Sequence, residues 1–431
     1  MKKLLAALLA ASCVFCFAAC GGETDTTPTV DDGQNDVQNE VENNLDEAEN
    51  NESNDNTKKA DLKVGVILVG DDNEGYTYAH IKGIQEAAAE LGMDESQIVW
   101  KYTIAEDATC TETALDLVDQ GCNLVISNSY GHQSFMEEAA SQNPDVTFVS
   151  MTGDTAAKSG LANFKNAFTH VFESRYVSGV VAGMKVAELI ADGKLTEANY
   201  DGENVKIGYV GAYPYAEVVS GYSAFFLGIQ SIVPNVTMEV SYTNSWFDIT
   251  MEAAAAEALM ADGCVIIGQH ADSTGAPSAV QAAQEKGTVA YSIGYNVDML
   301  SVAPDAALTS ATNNWSVYYK YAFSAMLNGE EIATDWAKGY SENAVAITAL
   351  GASCAAGTAE KVAEIEEKIH NGELHVFDTT TFTVGGEHLD SYNTSYGFEG
   401  NELITDGYFH ESELRSAPAF DIRIDGIKEL A

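Results

Sequence analysis

Three short clusters in the second half of the chain combine side chains that can grip a small, flat, polar molecule. Asn244-Ser245-Trp246-Phe247-Asp248 sets two aromatic rings between a carboxamide and a carboxylate. Gln269-His270-Ala271-Asp272-Ser273 follows the apolar run Cys264-Val265-Ile266-Ile267-Gly268, and Gly294-Tyr295-Asn296-Val297-Asp298 follows Ile293. In each, an apolar or aromatic run stops at hydrogen-bonding groups, the pattern of strands that end at a shared crevice in an open α/β sheet. Trp246 offers a π face, and Asp248, Asp272 and Asp298 are acceptors for N–H or hydroxyl donors. Asn296, and Asn128 farther up the chain, donate and accept at once, which suits the edge of such a ring. Two alternatives stay open: Asp298 fits a helix cap equally well, and either asparagine fits a turn.

Other chemistries are poorly specified by the same residues. His270 and Asp272, with His80, suggest a metal or an acid–base pair, but two ligands at i, i+2 with no third nearby define a metal weakly. No G-x-S-x-G signature occurs. No catalytic residue, metal ligand or cofactor is therefore assigned. Arg175, two residues after Glu173, is expected to form a structural pair with it.

The elements that must position these clusters read as two βαβ series. The first starts with the apolar run Leu62 to Val69 and a polar loop through Gly75-Tyr76-Thr77-Tyr78-Ala79-His80, followed by a helical pattern over 81–91. It continues with strands near Ile98 and Leu124, the second ending in Ser127-Asn128-Ser129-Tyr130, and a third at 146–149. Around 163–169 the chain is expected to cross to another lobe. The run Glu173 to Met184 predicts a helix with small residues on one face for close packing. A second series restarts at Val205, passes through Tyr213-Pro214-Tyr215-Ala216-Glu217, and repeats the element order. Strands alternating with helices predict parallel sheets with right-handed crossovers. The expected lobes are residues 61–169 with 313–340, and 170–312 with 341–431, and two similar lobes imply a cleft between them.

The chain has 431 residues, 46% of them hydrophobic, enough for two domains with cores of their own. Its net charge of −44 excludes a binder of nucleic-acid backbones, because no basic patch can release counterions. Lys2-Lys3, the apolar stretch Leu4 to Phe17 and Phe17-Ala18-Ala19-Cys20 resemble a bacterial lipobox. Residues 1–19 read as a lipoprotein signal peptide, with Cys20 lipidated and anchoring the protein to the cell membrane. Residues 20–60, rich in Asn, Asp, Glu and Thr, read as a disordered acidic tether. Cys110, Cys122, Cys264 and Cys354 lack metal-ligand spacing, and buried thiols are expected.

Taken together, the lipobox, the tether and the two α/β lobes resemble the basic membrane protein family of ABC-transporter substrate-binding lipoproteins. The resemblance is most specific at 75–80, at Glu173-Ser174-Arg175-Tyr176 and at the three clusters above. It implies a type I periplasmic-binding-protein fold: two doubly wound parallel-sheet lobes, a hinge and an interlobe cleft. It also implies capture of a purine nucleobase or nucleoside, an ABC permease as partner, and a monomer working outside the cytoplasm. A purine would then lie between Tyr76 or Tyr130 of one lobe and Trp246 of the other. The chain departs from relatives at Tyr76, where they often carry Trp, at Ser223, where they tend to have Asn, and at Ile249, where a Pro is usual. A sensor module with the same pocket, or a nucleoside-processing hydrolase, are the rival functions.

Overall fold

The computed structural model describes residues 62–393 and 400–430; the signal peptide, Cys20 and the tether expected over 1–60 lie outside the described residues. Two sheets organise the chain. The first is wholly parallel, in the order β12-β5-β4-β3-β1-β2. Its strands are β1 (Val64–Ile67), β2 (Ile98–Lys101), β3 (Leu124–Ser127), β4 (Thr147–Met151), β5 (Phe164–Thr169) and β12 (Asp335–Lys338). β1, β3 and β5 are buried along their whole length, as strands covered by helices on both faces must be.

The second sheet runs β13-β11-β10-β9-β7-β8-β16. It comprises β7 (Asn204–Gly211), β8 (Val236–Tyr242), β9 (Ile266–Gln269), β10 (Tyr291–Tyr295), β11 (Ala307–Asn313), β13 (Val345–Ile347) and β16 (Ile427–Glu429). Only β13 in this row is antiparallel to its neighbour; a short β6 (Tyr200–Asp201) also pairs antiparallel with β7. The cores of the two sheets repeat one plan, β2-β1-β3-β4-β5 and β8-β7-β9-β10-β11. Each reverses strand order beside its first strand, and such a switch point opens a crevice at the strands' carboxyl ends. The architecture is the expected type I fold.

The chain passes between the sheets three times. β5 of the first sheet leads into the helix Val171–Ala191, which packs on the helix Ala216–Gln230 and belongs to the second core. β11 of the second sheet leads into the helix Trp315–Asn328, whose Trp315, Tyr318, Tyr319 and Phe323 fill the first core against β1 and the helix Gly75–Glu90. β12 then returns to the second sheet at β13.

The segment 163–169, expected to be a crossing, is instead the strand β5, and the chain crosses only at His170. Lys165 and Asn166 break the apolar run and conceal the strand. Asn166 is tolerated there because its side chain donates to the Ser150 carbonyl (3.0 Å) and accepts from Ala156 N (2.7 Å). Near the C-terminus, Arg415 bonds Asp154 at 2.9 Å and Ser416 N donates to Asp335 at 2.9 Å, both beside the first sheet. Glu411, a few residues earlier, accepts from Ser220 Oγ (2.6 Å) and from the Ala419 and Phe420 N–H groups, so this segment grips both lobes.

The small face predicted on the Val171–Ala191 helix is used for backbone contact. A Cβ on Gly179 would lie 2.1 Å from the Phe225 carbonyl oxygen, and one on Gly228 of the facing helix 2.1 Å from that of Tyr176. Neither neighbour is a side chain that can rotate away, so any methyl there must push the helices apart. Gly179→Ala is expected to destabilise the protein by about 3 kcal/mol, read as a lowered midpoint in urea unfolding, whereas Gly160→Ala meets nothing within 4 Å of its Cβ position and loses only the glycine's ease at φ 70°, about 1 kcal/mol.

Candidate functional site

Loops at the carboxyl ends of both sheets meet around a cavity of about 330 Å³. The first lobe supplies Gly70, Asp71 and Glu74 after β1, Glu106 after β2, Asn128 to Tyr130 after β3 and Thr152 after β4. The second supplies Glu217 after β7, Trp246 and Phe247 after β8, His270 and Asp272 after β9, and Tyr295 at the end of β10. Of the residues singled out in the sequence, Tyr76, Asn128, Tyr130, Trp246, His270 and Asp272 line this space.

On the first-lobe side the polar groups hold one another. Tyr76 donates its hydroxyl to the Asn128 carbonyl and turns its ring edge-on to His80, with 4.6 Å between ring centres. Asn128 accepts from Val69 N (2.8 Å) and donates to Thr77 Oγ1 (3.2 Å), so its amide ties the β1 and β3 loops together. Glu74 caps the Gly75–Glu90 helix, accepting from Tyr76 N and Thr77 N. Glu106 accepts the Ser129 hydroxyl.

The second-lobe side is an aromatic wall. Trp246 is half-buried, with Tyr213 edge-on at 5.1 Å and Tyr215 tilted at 6.1 Å between ring centres. Tyr213 and Tyr215 stack at 5.2 Å, and Tyr215 approaches Tyr130 of the other lobe at 6.1 Å. Below the wall, His270 Nε2 lies 3.0 Å from Glu217 Oε1. Burial lowers the His270 pKa, and the nearby Arg175 charge pushes the same way while Glu217 opposes both. Asp272 Oδ1 accepts from Asn296 Nδ2 at 2.7 Å, and Asp272 N donates to the Trp246 carbonyl at 2.8 Å. Burial drives the Asp272 carboxyl well above its ordinary range, with Glu74, Glu252 and Glu217 adding repulsion and Arg175 relieving part of it.

Several expected contacts have another geometry. Asp248 is the N-cap of the helix Ile249–Ala261, accepting from Thr250 N (3.0 Å) and Met251 N (2.9 Å), and is not in the cavity wall. Asp298 is exposed, accepts from Leu300 N at 2.8 Å, and borders a separate hollow with Lys82 and Ser316. Asn296 holds Asp272 from behind and sits at φ 61°, a left-handed conformation that asparagine tolerates. The Arg175–Glu173 pair does not form. Residues two apart on a helix point to different sides, so Glu173 accepts from Tyr340 N (2.7 Å) while Arg175 lies over the Tyr295 ring at 3.6 Å and donates to the Gln269 carbonyl. His80 is fully buried in the first core, stacked on Trp315 at 4.3 Å, and burial depresses its pKa to about 3. Among the described residues no three His, Cys, Asp or Glu side chains are grouped to hold a metal.

Glu74, Glu106, Glu217, Thr152 and Tyr295 join the wall without having been singled out as ligand contacts. Glu217 and Tyr295 were visible in principle, since each stands where an apolar run ends. Glu106 lies in a loop with no local signature; only the meeting of β2 and β3 loops brings it in.

The family model described as "ABC transporter substrate-binding protein PnrA-like", Bmp, matches residues 62–380. A purine-binding protein of Brucella abortus is 33% identical over 318 residues, covering 73% of this chain and 83% of the relative. A putative ABC transporter glucose-binding protein of Haloferax volcanii is 28% identical over 309 residues, 72% of each chain. The crystal structure of an ABC transporter solute-binding protein from Aeropyrum pernix superposes with a TM-score of 0.58 at 18% identity, covering 76% of this chain and 94% of that one.

The raised Asp272 pKa carries a pH signature. Between its ordinary and its raised value the folded state binds the extra proton, so this group's contribution falls as pH rises through that window. Asp272→Asn keeps an acceptor for Asn296 and removes the titration. Thermal unfolding followed from about pH 4 to pH 7 should show the variant's midpoint gaining on the wild type as pH rises; a constant difference would mean the carboxyl titrates normally.

Proposed function

The chain belongs to the Bmp family of PnrA-like ABC transporter substrate-binding proteins, and from that premise we propose that it captures a purine nucleobase or nucleoside by closing its lobes and passes it to an ABC permease. The family model and the Brucella relative describe solute-binding proteins rather than enzymes. In this reading Cys20 is lipidated and residues 20–60 tether a monomer at the outer face of the cell membrane. Loss of membrane association on Cys20→Ala, followed by fractionation of cells, tests the anchor.

The observation that carries the ligand assignment is the placement of aromatic rings on both sides of one cavity: Tyr76 and Tyr130 from the first lobe, Trp246 and Phe247 from the second. A planar ring between them gains contact on both faces, and offset aromatic contact adds ~0.5–1.5 kcal/mol beyond area burial. The volume, about 330 Å³, lies at the small end of ligand pockets. Asp272, Glu106 and Glu217 then accept from N–H or hydroxyl groups on the rim of the guest. The purine-binding relative from Brucella supports the same class.

Calorimetry with adenine, adenosine, guanosine, inosine and glucose separates the possibilities. At least one purine should bind, and Trp246→Ala should weaken it by about 10–100-fold, the loss of a stacked face and its buried area. Binding of glucose alone would remove the purine assignment and leave the fold and family untouched.

A further inference from the structure

Stacking does not account for the charge of the cavity. Asp71, Glu74, Glu106, Glu217 and Asp272 line it, and among the described residues no lysine or arginine is in the wall. Arg175 stands behind the wall, over the Tyr295 ring, with Nη1 donating to the Gln269 carbonyl and Nε and Nη2 buried without a partner, and burial together with its charge holds His270 toward the neutral form.

Wall donors are largely consumed within the protein. Tyr76 gives its hydroxyl to the Asn128 carbonyl, Asn128 its amide to Thr77, Ser129 its hydroxyl to Glu106, and Thr152 Oγ1 lies 2.6 Å from the Met151 carbonyl. Among the described residues no donor reaches Glu106 Oε2, Glu217 Oε2 or Asp272 Oδ2, so three carboxyl groups keep an oxygen open. What the walls offer a guest is therefore π faces, the open carboxylate oxygens of Glu106 and Glu217, and an Asp272 carboxyl that a cation would draw toward its charged form. Ring faces attract cations through their quadrupole, with the effect largest where water is excluded. Like charges crowded at low dielectric are stabilised by an opposite charge among them.

Resting on the purine reading above, we propose that this cavity selects a positively charged heteroaromatic guest, an N-alkylated or protonated base, over its neutral counterpart. The cation lies between Trp246 and the first-lobe tyrosines, with its N–H groups directed at Glu106, Glu217 and Asp272. Repulsion from Glu74 and Glu217, which helps hold the Asp272 carboxyl above its ordinary range, is offset by the guest's charge.

Two isomers isolate charge from size: 1-methyladenosine is cationic at neutral pH and N6-methyladenosine is not. Titration calorimetry of the full chain with both, and with thiamine as a cationic heteroaromatic that is not a purine, is decisive. The cationic isomer should bind about tenfold or more tightly than the neutral one, and Glu106→Gln, which keeps an oxygen for Ser129, should shrink that ratio. Equal affinities, or tighter binding of N6-methyladenosine, overturn the charge preference and leave the purine reading standing. Thiamine bound with no purine bound upholds the preference and removes the purine reading, and no binding of any probe defeats both.

Discussion

A single buried hydrogen bond, from Asn296 Nδ2 to Asp272 Oδ1, joins the recognition loops to the crossings between the lobes. Asp272 also donates its backbone N–H to the Trp246 carbonyl, so one residue ties together the loops after β8, β9 and β10. Asn296 in turn accepts from Asn313 Nδ2 at 3.1 Å, and Asn313 accepts the Thr169 hydroxyl. Thr169 ends β5 and Asn313 ends β11, the strands from which the chain leaves each sheet for the other. The aromatic wall and the crossings thus share one continuous set of polar contacts. In a buried setting each of these is costly to leave unmade.

Much of the fold was legible because it is written in runs and periods. Buried parallel strands are nearly continuous apolar segments, and they appear in the sequence at Val64, Leu124, Val205 and Ile266. β5 escaped because its polar residues are satisfied by partners distant in sequence, and no local pattern announces such a partner. The site was partly legible for the same reason: Trp246, His270 and Asp272 stand at strand ends, where doubly wound sheets place ligand contacts. Asp248 and Asp298 stand at strand ends too. Whether such a carboxylate caps the next helix or faces the crevice depends on one or two residues of loop geometry, below the resolution of spacing arguments. Arg175 shows the opposite failure, because adjacency to Glu173 suggested a partner that helix geometry turns away.

The repeated strand order explains why the cavity exists; it does not choose the guest. Any pair of lobes with these switch points brings loop ends together, and the same architecture hosts different solutes once the loops differ. The purine-binding relative from Brucella and the putative glucose-binding relative from Haloferax have comparable coverage of this chain. In this chain the strand ends present Trp246 backed by Tyr213 and Tyr215, an exposed Phe247 at the rim, and acidic groups from both lobes.

Under the proposed capture by lobe closure, the division of those groups between the lobes makes closure depend on the guest. With rings on only one lobe, a planar molecule would gain most of its contact in the open form and would give no preference for closing. Here Tyr76 and Tyr130 belong to one lobe and Trp246 to the other, and the same split holds for Glu106 against Glu217 and Asp272. The second ring face and the second set of acceptors are reached only when the lobes meet. A ligand shifts a two-state equilibrium only by its difference in affinity for the two states, about 5.5 kcal/mol for a swing from 1:99 to 99:1. Stacking on the second face together with desolvated hydrogen bonds to the second lobe is a source of that size, whereas the Tyr130–Tyr215 contact and the Arg415–Asp154 pair already favour approach of the lobes without a guest. In the proposed reading those standing contacts must stay weaker than the ligand's own, or the protein would close on nothing and have no signal to present to a permease.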